Sequence, residues 1–138
     1  MSSLYVRNQV EDWMADNWTD TQFYVVDDHQ DISTIPANNT EAWVGIEYVN
    51  SSERVESMPA NYWNERGTVF FHIVTPNGWQ SKHAIALGDK LQKLLRGIRL
   101  ECLVIESVSP TISQSPPALE KTSEWNGFVL VMSYQSIK

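Results

Sequence analysis

Side chains that could bind a metal ion cluster between residues 27 and 31. Asp27, Asp28 and Asp31 supply carboxylate oxygens, and His29 supplies an imidazole nitrogen. The run lacks the regular acidic spacing and the glycine of an EF-hand loop. It also lacks the second cluster of histidines or cysteines that would complete a zinc site. The pattern therefore favours a solvated loop, and it predicts neither a bound metal nor any other cofactor.

Two glutamates and the single cysteine are the next candidates for catalytic groups. Glu101 and Glu106 lie five residues apart in one predicted strand, so their side chains lie on opposite faces and cannot easily flank a bond. Cys102 alternates with Leu100 and Val104, which predicts a thiol packed as a small apolar group. The sequence contains no G-x-S-x-G, no H-E-x-x-H and no phosphate-binding glycine loop. We therefore expect no catalytic residues and no enzymatic activity.

Two histidines lie inside predicted elements rather than in loops. His72 lies in the middle of an apolar strand, between Phe70 and Val74, and is predicted to be a paired or surface-facing strand residue. His83 lies one residue from the apolar stripe of a predicted helix. It is expected to mark the edge of that stripe. Neither position indicates a ligand or a base.

The charge of the chain is negative and unevenly distributed. The net charge is −7, and residues 1–50 carry nine acids against one base, whereas residues 51–138 carry eight acids against nine bases. Specific nucleic-acid binding is not expected, because affinity for phosphates comes mainly from lysine and arginine. The acidic half serves either solubility or charge matching to a partner or a neighbouring subunit.

Length and hydropathy limit the organisation and location of the chain. Its 138 residues predict a single domain over residues 1–138. No apolar run approaches the roughly 20 residues of a membrane-spanning helix, and the first residues lack the pattern of a signal peptide. We expect an intracellular protein without membrane association.

The elements that position these residues are predicted from apolar periodicity. Val6, Val10, Trp13 and Met14 recur on one side of a helix over residues 3–17. Strands are predicted at 22–26, 41–49 and 68–74, with a weaker one at 54–58; a second helix is predicted at 81–96, and strands at 98–106 and 125–134. Residues 27–39 and 59–65 are predicted to be connections, and 107–124 is predicted to be a long loop because it contains three prolines and many serines and threonines.

The predicted fold class is α+β. Consecutive strands joined without helices favour a mostly antiparallel sheet, with two helices packed on one face. In the second helix Ala84, Leu87, Leu91 and Leu94 form the predicted core-facing stripe. The predicted core is Val6, Val10, Trp13, Phe71, Ile73, Leu87, Leu91, Leu94 and Val131.

Several local sequences, taken with the order of elements, resemble the tail terminator proteins of long-tailed bacteriophages. The matching helices are the first helix, through Asn17, and the helix at 81–96. The matching sequences are Thr75-Pro76-Asn77-Gly78-Trp79 after the strand at 68–74, and Trp125-Asn126-Gly127-Phe128-Val129-Leu130-Val131-Met132-Ser133-Tyr134 in the final strand. The resemblance covers most of residues 3–136 and implies a lambda-like tail terminator architecture.

The resemblance also implies a function and partners. Tail terminators are structural virion proteins without catalysis; they form a hexameric ring that caps the tail tube, ends its polymerisation and joins it to the head-side connector. The implied location is the head-proximal end of the virion tail, assembled in the host cytoplasm. Acidic residues would then either line a lumen through which DNA slides or meet basic residues of a neighbouring subunit. Two alternatives remain open: another head–tail joining or tail-completion protein, and a non-viral monomeric binding module.

Six residues are candidates for protein interfaces. Tyr62 and Trp63 form an aromatic pair in a predicted connection. Ile112 and Leu119 are the large apolar residues of the 107–124 loop, which we expect to become ordered against a neighbouring subunit, the tube or the connector. Lys90 and Lys93 lie on the basic outer side of the second helix.

Overall fold

Two helices and seven strands follow one another in the residues that the computed structural model describes, which are 3–25, 42–55, 63–76, 81–96, 98–100, 102–113 and 125–137. They are α1 (Leu4–Asn17), β1 (Gln22–Val25), β2 (Trp43–Val55), β3 (Trp63–Pro76), α2 (Ser81–Leu95), β4 (Arg99–Leu100), β5 (Leu103–Val108), β6 (Ile112–Ser113) and β7 (Trp125–Ile137).

The strands form one mostly antiparallel sheet in the order β1-β2-β3-β7-β5-β4. The pairing of β1 with β2 is parallel, and the other described pairings are antiparallel. Because β3 pairs with β7 over the whole of β7, β5 and β6 must share the opposite edge of that strand. The long strands β2, β3 and β7 therefore form the centre of the sheet.

Both helices pack on one face of the sheet and enclose the core with it, which confirms the predicted α+β architecture. The buried cluster joins α1 residues Val6, Val10, Trp13 and Met14 and α2 residues Ala84, Leu91 and Leu95 to sheet residues Val44, Ile46, Tyr48, Val69, Phe71, Ile73, Leu103, Ile105, Leu130, Met132 and Tyr134. Alternate residues of β2, β3 and β7 contribute to it, as expected when one face of each strand is covered.

Ser3 caps the start of the first helix, and contacts from Ser3 and Arg7 attach this helix to the sheet. The side chain of Ser3 accepts a hydrogen bond from the backbone N–H of Val6, which satisfies one donor of the first turn. The backbone N–H of Ser3 donates to the carboxylate of Glu65 in β3 at 3.1 Å. Farther along, Arg7 lies over the Tyr48 ring at 4.2 Å. These contacts fix α1 across β2 and β3.

The orientation of α2 differs from the predicted one by part of a turn. Leu91 is fully buried as predicted, whereas Leu94 is 36% exposed, so its assignment to the core is wrong. The buried positions are Ala84, Gly88, Leu91 and Leu95, and Leu87 is only partly buried. A Cβ atom on Gly88 would collide with the Thr111 side chain and crowd Ile73. The absence of a side chain at position 88 therefore lets the helix approach the sheet closely. Because glycine does not count as an apolar residue in the sequence pattern, position 88 was not predicted to be buried.

Val131 was also predicted to be in the core, and the structure contradicts this. Its neighbours Leu130 and Met132 are fully buried beneath the helices. Val131 is half-buried, and it pairs with Phe70 on the other face of the sheet, since successive strand side chains alternate.

The polar segment after Tyr48 continues a strand instead of turning. β2 runs through residues 50–52 to Val55, which pairs with Trp63 at the start of β3. A separate strand beginning at residue 54 is therefore wrong, and residues 63–65, predicted as a connection, belong to β3. The pairing register between β2 and β3 shifts between Tyr48 and Asn50, where the polar segment begins. Residues 50–52 and 64–65 are polar but still form strands, because the backbone hydrogen bonds between strands need no apolar side chains.

The predicted strand at 98–106 is two strands joined by a tight turn. Leu100 pairs with Leu103, and Cys102 lies in the turn before Leu103. Cys102 is consequently exposed, so its prediction as a packed thiol is wrong; its backbone N–H donates to the hydroxyl of Tyr5 at 3.1 Å. The long loop also begins later than predicted, because residues 107–108 lie in β5 and 112–113 in β6. Residues 114–124 lie outside the described residues.

Candidate functional site

An open cleft separates the turn after α1 from one side of α2. Its volume is ≈ 690 Å³. It is lined by Thr19, Asp20, Thr21, Gln22, Ala42, His83, Ala86, Leu87 and Lys90. The lining combines hydroxyl, carboxylate, amide, imidazole and ammonium groups with small apolar side chains. Such a surface can bind a polar ligand or a polar segment of another protein.

The turn that forms one wall of the cleft is held by Trp18. This residue caps α1 and is buried. Its indole Nε1 donates to the hydroxyl of Thr21 at 2.8 Å, and Thr21 in turn donates to the backbone oxygen of Gln22 at 3.0 Å. A buried ring with its polar edge paired gives the turn a defined position. The wall is therefore anchored in the core.

An ion pair joins the two walls of the cleft. Lys90 Nζ lies 2.7 Å from one carboxylate oxygen of Asp20 and 2.8 Å from the other. Both side chains are partly exposed to solvent, so the pair stabilises the fold by only about 0–1 kcal/mol. It links the turn after α1 to α2. The ammonium of Lys90, one of the predicted interface groups, is thus engaged within the chain.

The outward sides of the two helices carry opposite charge. The exposed residues of α1 include Leu4, Asn8, Asp12, Ala15 and Asp16, which we define as the acidic face. Those of α2 and its end include Lys82, Ile85, Ala86, Asp89, Lys93 and Arg96, which we define as the basic face. The distribution of charge in the sequence predicted an acidic first half of the chain and a basic outer side of the second helix. The exposed Leu4 and Ile85 were missed, because sequence periodicity alone does not mark an apolar residue as exposed.

Four of the six predicted interface residues lie in described elements, namely α2, β3 and β6. Lys90 and Lys93 lie on α2, and Lys93 is exposed in its last turn. Trp63 begins β3, opposite Val55, whereas Ile112 pairs with Val129 on β7; of these two residues only the backbone is described. Tyr62 and Leu119 lie outside the described residues, as does the 27–31 cluster.

The other face of the sheet contains a buried histidine. His72 is 1% exposed, and its Nε2 lies 3.3 Å from Oε1 of Glu47 on the neighbouring strand. Burial lowers the pKa of His72, while the hydrogen bond and charge of Glu47 oppose that shift. Of the two predicted alternatives, the paired one is therefore correct and the surface-facing one is wrong.

Comparisons with known proteins give no family assignment. No family model and no curated protein matches the chain.

Only some of the candidate catalytic and metal groups lie in the part of the chain that the structure describes. There, no group of three or more histidine, cysteine, aspartate or glutamate side chains is placed to hold a metal ion. Glu106 is exposed on β5, and Cys102 is exposed at the neighbouring turn, whereas Glu101 is not described. Neither helix within the described ranges is long and apolar enough to cross a membrane.

Burial of His72 predicts a dependence of stability on pH. Its pKa in the folded protein lies below the ordinary value of 6.5, so the unfolded chain binds more protons at pH values between the two. The free energy of unfolding should therefore fall as pH decreases through 6.5, and the loss should stop growing below the lowered pKa. Urea unfolding between about pH 5.5 and 7.5, above the range where ordinary carboxylates titrate, measures this slope.

Two glutamine variants separate this effect from general pH sensitivity. His72→Gln should flatten the slope, whereas His83→Gln, which replaces an exposed histidine, should leave it as in the wild type. An unchanged slope in His72→Gln would contradict the assignment to His72.

Proposed function

We propose that this chain is a structural virion protein of the tail-terminator type, without catalytic activity. In this proposal, it assembles into a homo-hexameric ring at the head-proximal end of the tail. The ring caps the tail tube, stops its polymerisation and binds the head-side connector. The observation that carries the proposal is the arrangement of two helices on one face of a mostly antiparallel sheet, combined with the local sequences that resemble tail terminators.

The rigidity of the sheet supports a role as a ring subunit. Strands β2, β3 and β7 contain 13, 14 and 13 residues. β3 is paired on both sides over most of its length. Contacts from Ser3 to Glu65 and from Lys90 to Asp20 then hold the helix layer in place. A ring closes only if each subunit repeats the same rotation, which requires surfaces in a fixed relative geometry.

Two measurements test the proposal. Sedimentation velocity and negative-stain electron microscopy of the full chain should give a ring with the mass of six copies. The tail tube protein encoded in the same genome should then be polymerised with and without the chain. We expect tubes that stop growing and carry a ring at one end. A chain that stays monomeric with tubes present and leaves their length unchanged would overturn the proposal.

A second candidate function, a monomeric binding module, is favoured by the cleft. Its volume of ≈ 690 Å³ falls in the range of roughly 300–1,000 Å³ typical of ligand pockets. This candidate predicts a monomer with no effect on tubes. Another head–tail joining protein would instead form a ring that binds the connector without limiting tube length, so the same two measurements separate all three functions.

A further inference from the structure

We propose that the acidic face of one copy packs against the basic face of the next copy in the ring. This inference rests on the proposed function and specifies how that assembly is held together. The occupant of each face is a second copy of this chain. The proposal follows from the charges, the exposed apolar residues and the positions of the two faces.

The charges of the two faces are complementary. Asp12 and Asp16 lie one turn apart on α1, and the basic face carries three bases against one acid. Among the described residues, neither Asp12 nor Asp16 has an ion-pair partner, and neither do Lys82, Lys93 and Arg96. Opposite potentials on one surface attract a second copy and repel a wrongly rotated one.

Each face also carries an exposed apolar side chain, which lies at the start of α1 on the acidic face and between Lys82 and Asp89 on the basic face. Leu4 is 72% exposed on α1, and Ile85 is 42% exposed on α2. Asn8 lies one turn from Leu4 on α1, and Ala86 lies beside Ile85 on α2. Specific interfaces usually combine apolar and polar contacts. Burial of Leu4 and Ile85 would add apolar contact to the charge pairing.

The two faces belong to different helices of the layer that covers one side of the sheet, so the contact joins α1 of one copy to α2 of another. α1 contacts the sheet through Tyr48 and Glu65, whereas Gly88 of α2 lies against Ile73 and Thr111. A contact between two different surfaces generates a ring when the rotation closes.

Charge reversal tests the interface directly. One variant reverses the acidic face (Asp12→Lys with Asp16→Lys), and another reverses the basic face (Lys82→Glu with Lys93→Glu). These positions are exposed, so thermal midpoints should change little. In each variant like charges would face each other, and we expect the dissociation constant of the assembly to rise at least about 100-fold. Glu106→Lys, an exposed reversal on β5, is the control and should assemble normally.

Restoration of assembly distinguishes the interface from a general effect of charge. A 1:1 mixture of the two variants should assemble again, because each reversed face then meets an opposite charge. A single chain carrying all four substitutions should assemble as well. Assembly of the wild type should also weaken as salt rises, since exposed charge pairs are screened.

The outcomes separate this inference from the proposed function. An oligomer unaffected by either reversal would overturn the interface and would agree instead with acids that face a lumen. A wild-type chain that is monomeric at every concentration and salt would overturn it too. Loss and restoration in a two-fold dimer that does not cap tubes would support the interface and overturn the tail-terminator function.

Discussion

Replacement of Leu91 by alanine is expected to lower the free energy of unfolding by about 2–5 kcal/mol. Leu91 is fully buried between α2 and the sheet, in the same cluster as Phe71, Ile73 and Leu130. Truncation would remove its apolar contacts and leave a cavity. Because α2 already lies close to its neighbours at Gly88, the helix cannot move inward to fill that cavity. Because domains of this size are stable by only about 5–15 kcal/mol, the effect should be plain in a urea titration.

Leu94→Ala is the matched control for Leu91→Ala. The two leucines lie in adjacent turns of α2, and apolar periodicity alone places both in the core. Leu94 is 36% exposed, so its truncation should cost under about 1 kcal/mol, since substitutions at exposed positions usually have small effects. Equal costs at both positions would contradict the observed orientation of α2 and favour the stripe predicted from the sequence.

Those parts of the fold with a strong apolar period were predictable from the sequence. Val6, Val10, Trp13 and Met14 mark the buried side of α1 at helical spacing, and the structure buries all four. Val69, Phe71 and Ile73 do the same for β3 at a spacing of two. Both patterns reflect local geometry, in which periodicity decides which face meets the core.

The parts that failed depend on contacts between distant segments. Residues 50–52 have the composition of a turn, but pairing with β3 extends them. Gly88 gives no apolar signal, yet it is buried because Thr111 and Ile73 lie against it. The ion pair in the cleft joins Asp20 to Lys90, 70 residues away. Local sequence does not show which distant residues come together in the fold. The charges of the acidic and basic faces were therefore predictable, but their positions were not.

A buried carboxylate in a polar segment was missed for the same reason. Glu65 was predicted to lie in a connection, but it is 1% exposed and accepts a hydrogen bond from the Tyr134 hydroxyl at 2.7 Å. It also accepts one from the backbone N–H of Ser3 at 3.1 Å. Both donors reach the same oxygen, Oε2, and a buried polar group needs such hydrogen bonds. Glu65, itself in β3, thereby joins the start of α1 to β7.

The matched pair Tyr134→Phe and Tyr48→Phe tests the importance of this buried carboxylate. Each substitution removes one hydroxyl that donates to a glutamate, and each keeps the ring. The Tyr48 hydroxyl donates to the half-buried Glu11 at 3.1 Å. Water can replace that hydrogen bond, and a phenylalanine ring would still lie beneath Arg7. We expect a cost of about 0.5–1.5 kcal/mol for Tyr48→Phe, the usual net value for an ordinary hydrogen bond.

Tyr134→Phe should cost more, about 1–3 kcal/mol, because it removes a donor from a buried acceptor from which water is excluded. After the substitution, the Glu65 carboxylate would remain buried with one hydrogen-bond donor fewer. Fewer hydrogen bonds would then offset the loss of its contact with water. The difference in the free energy of unfolding between the two variants, measured by urea titration at pH 7, isolates this effect of burial. If Tyr134→Phe cost no more than Tyr48→Phe, water would have to reach Glu65, and the start of α1 would not seal this end of the core.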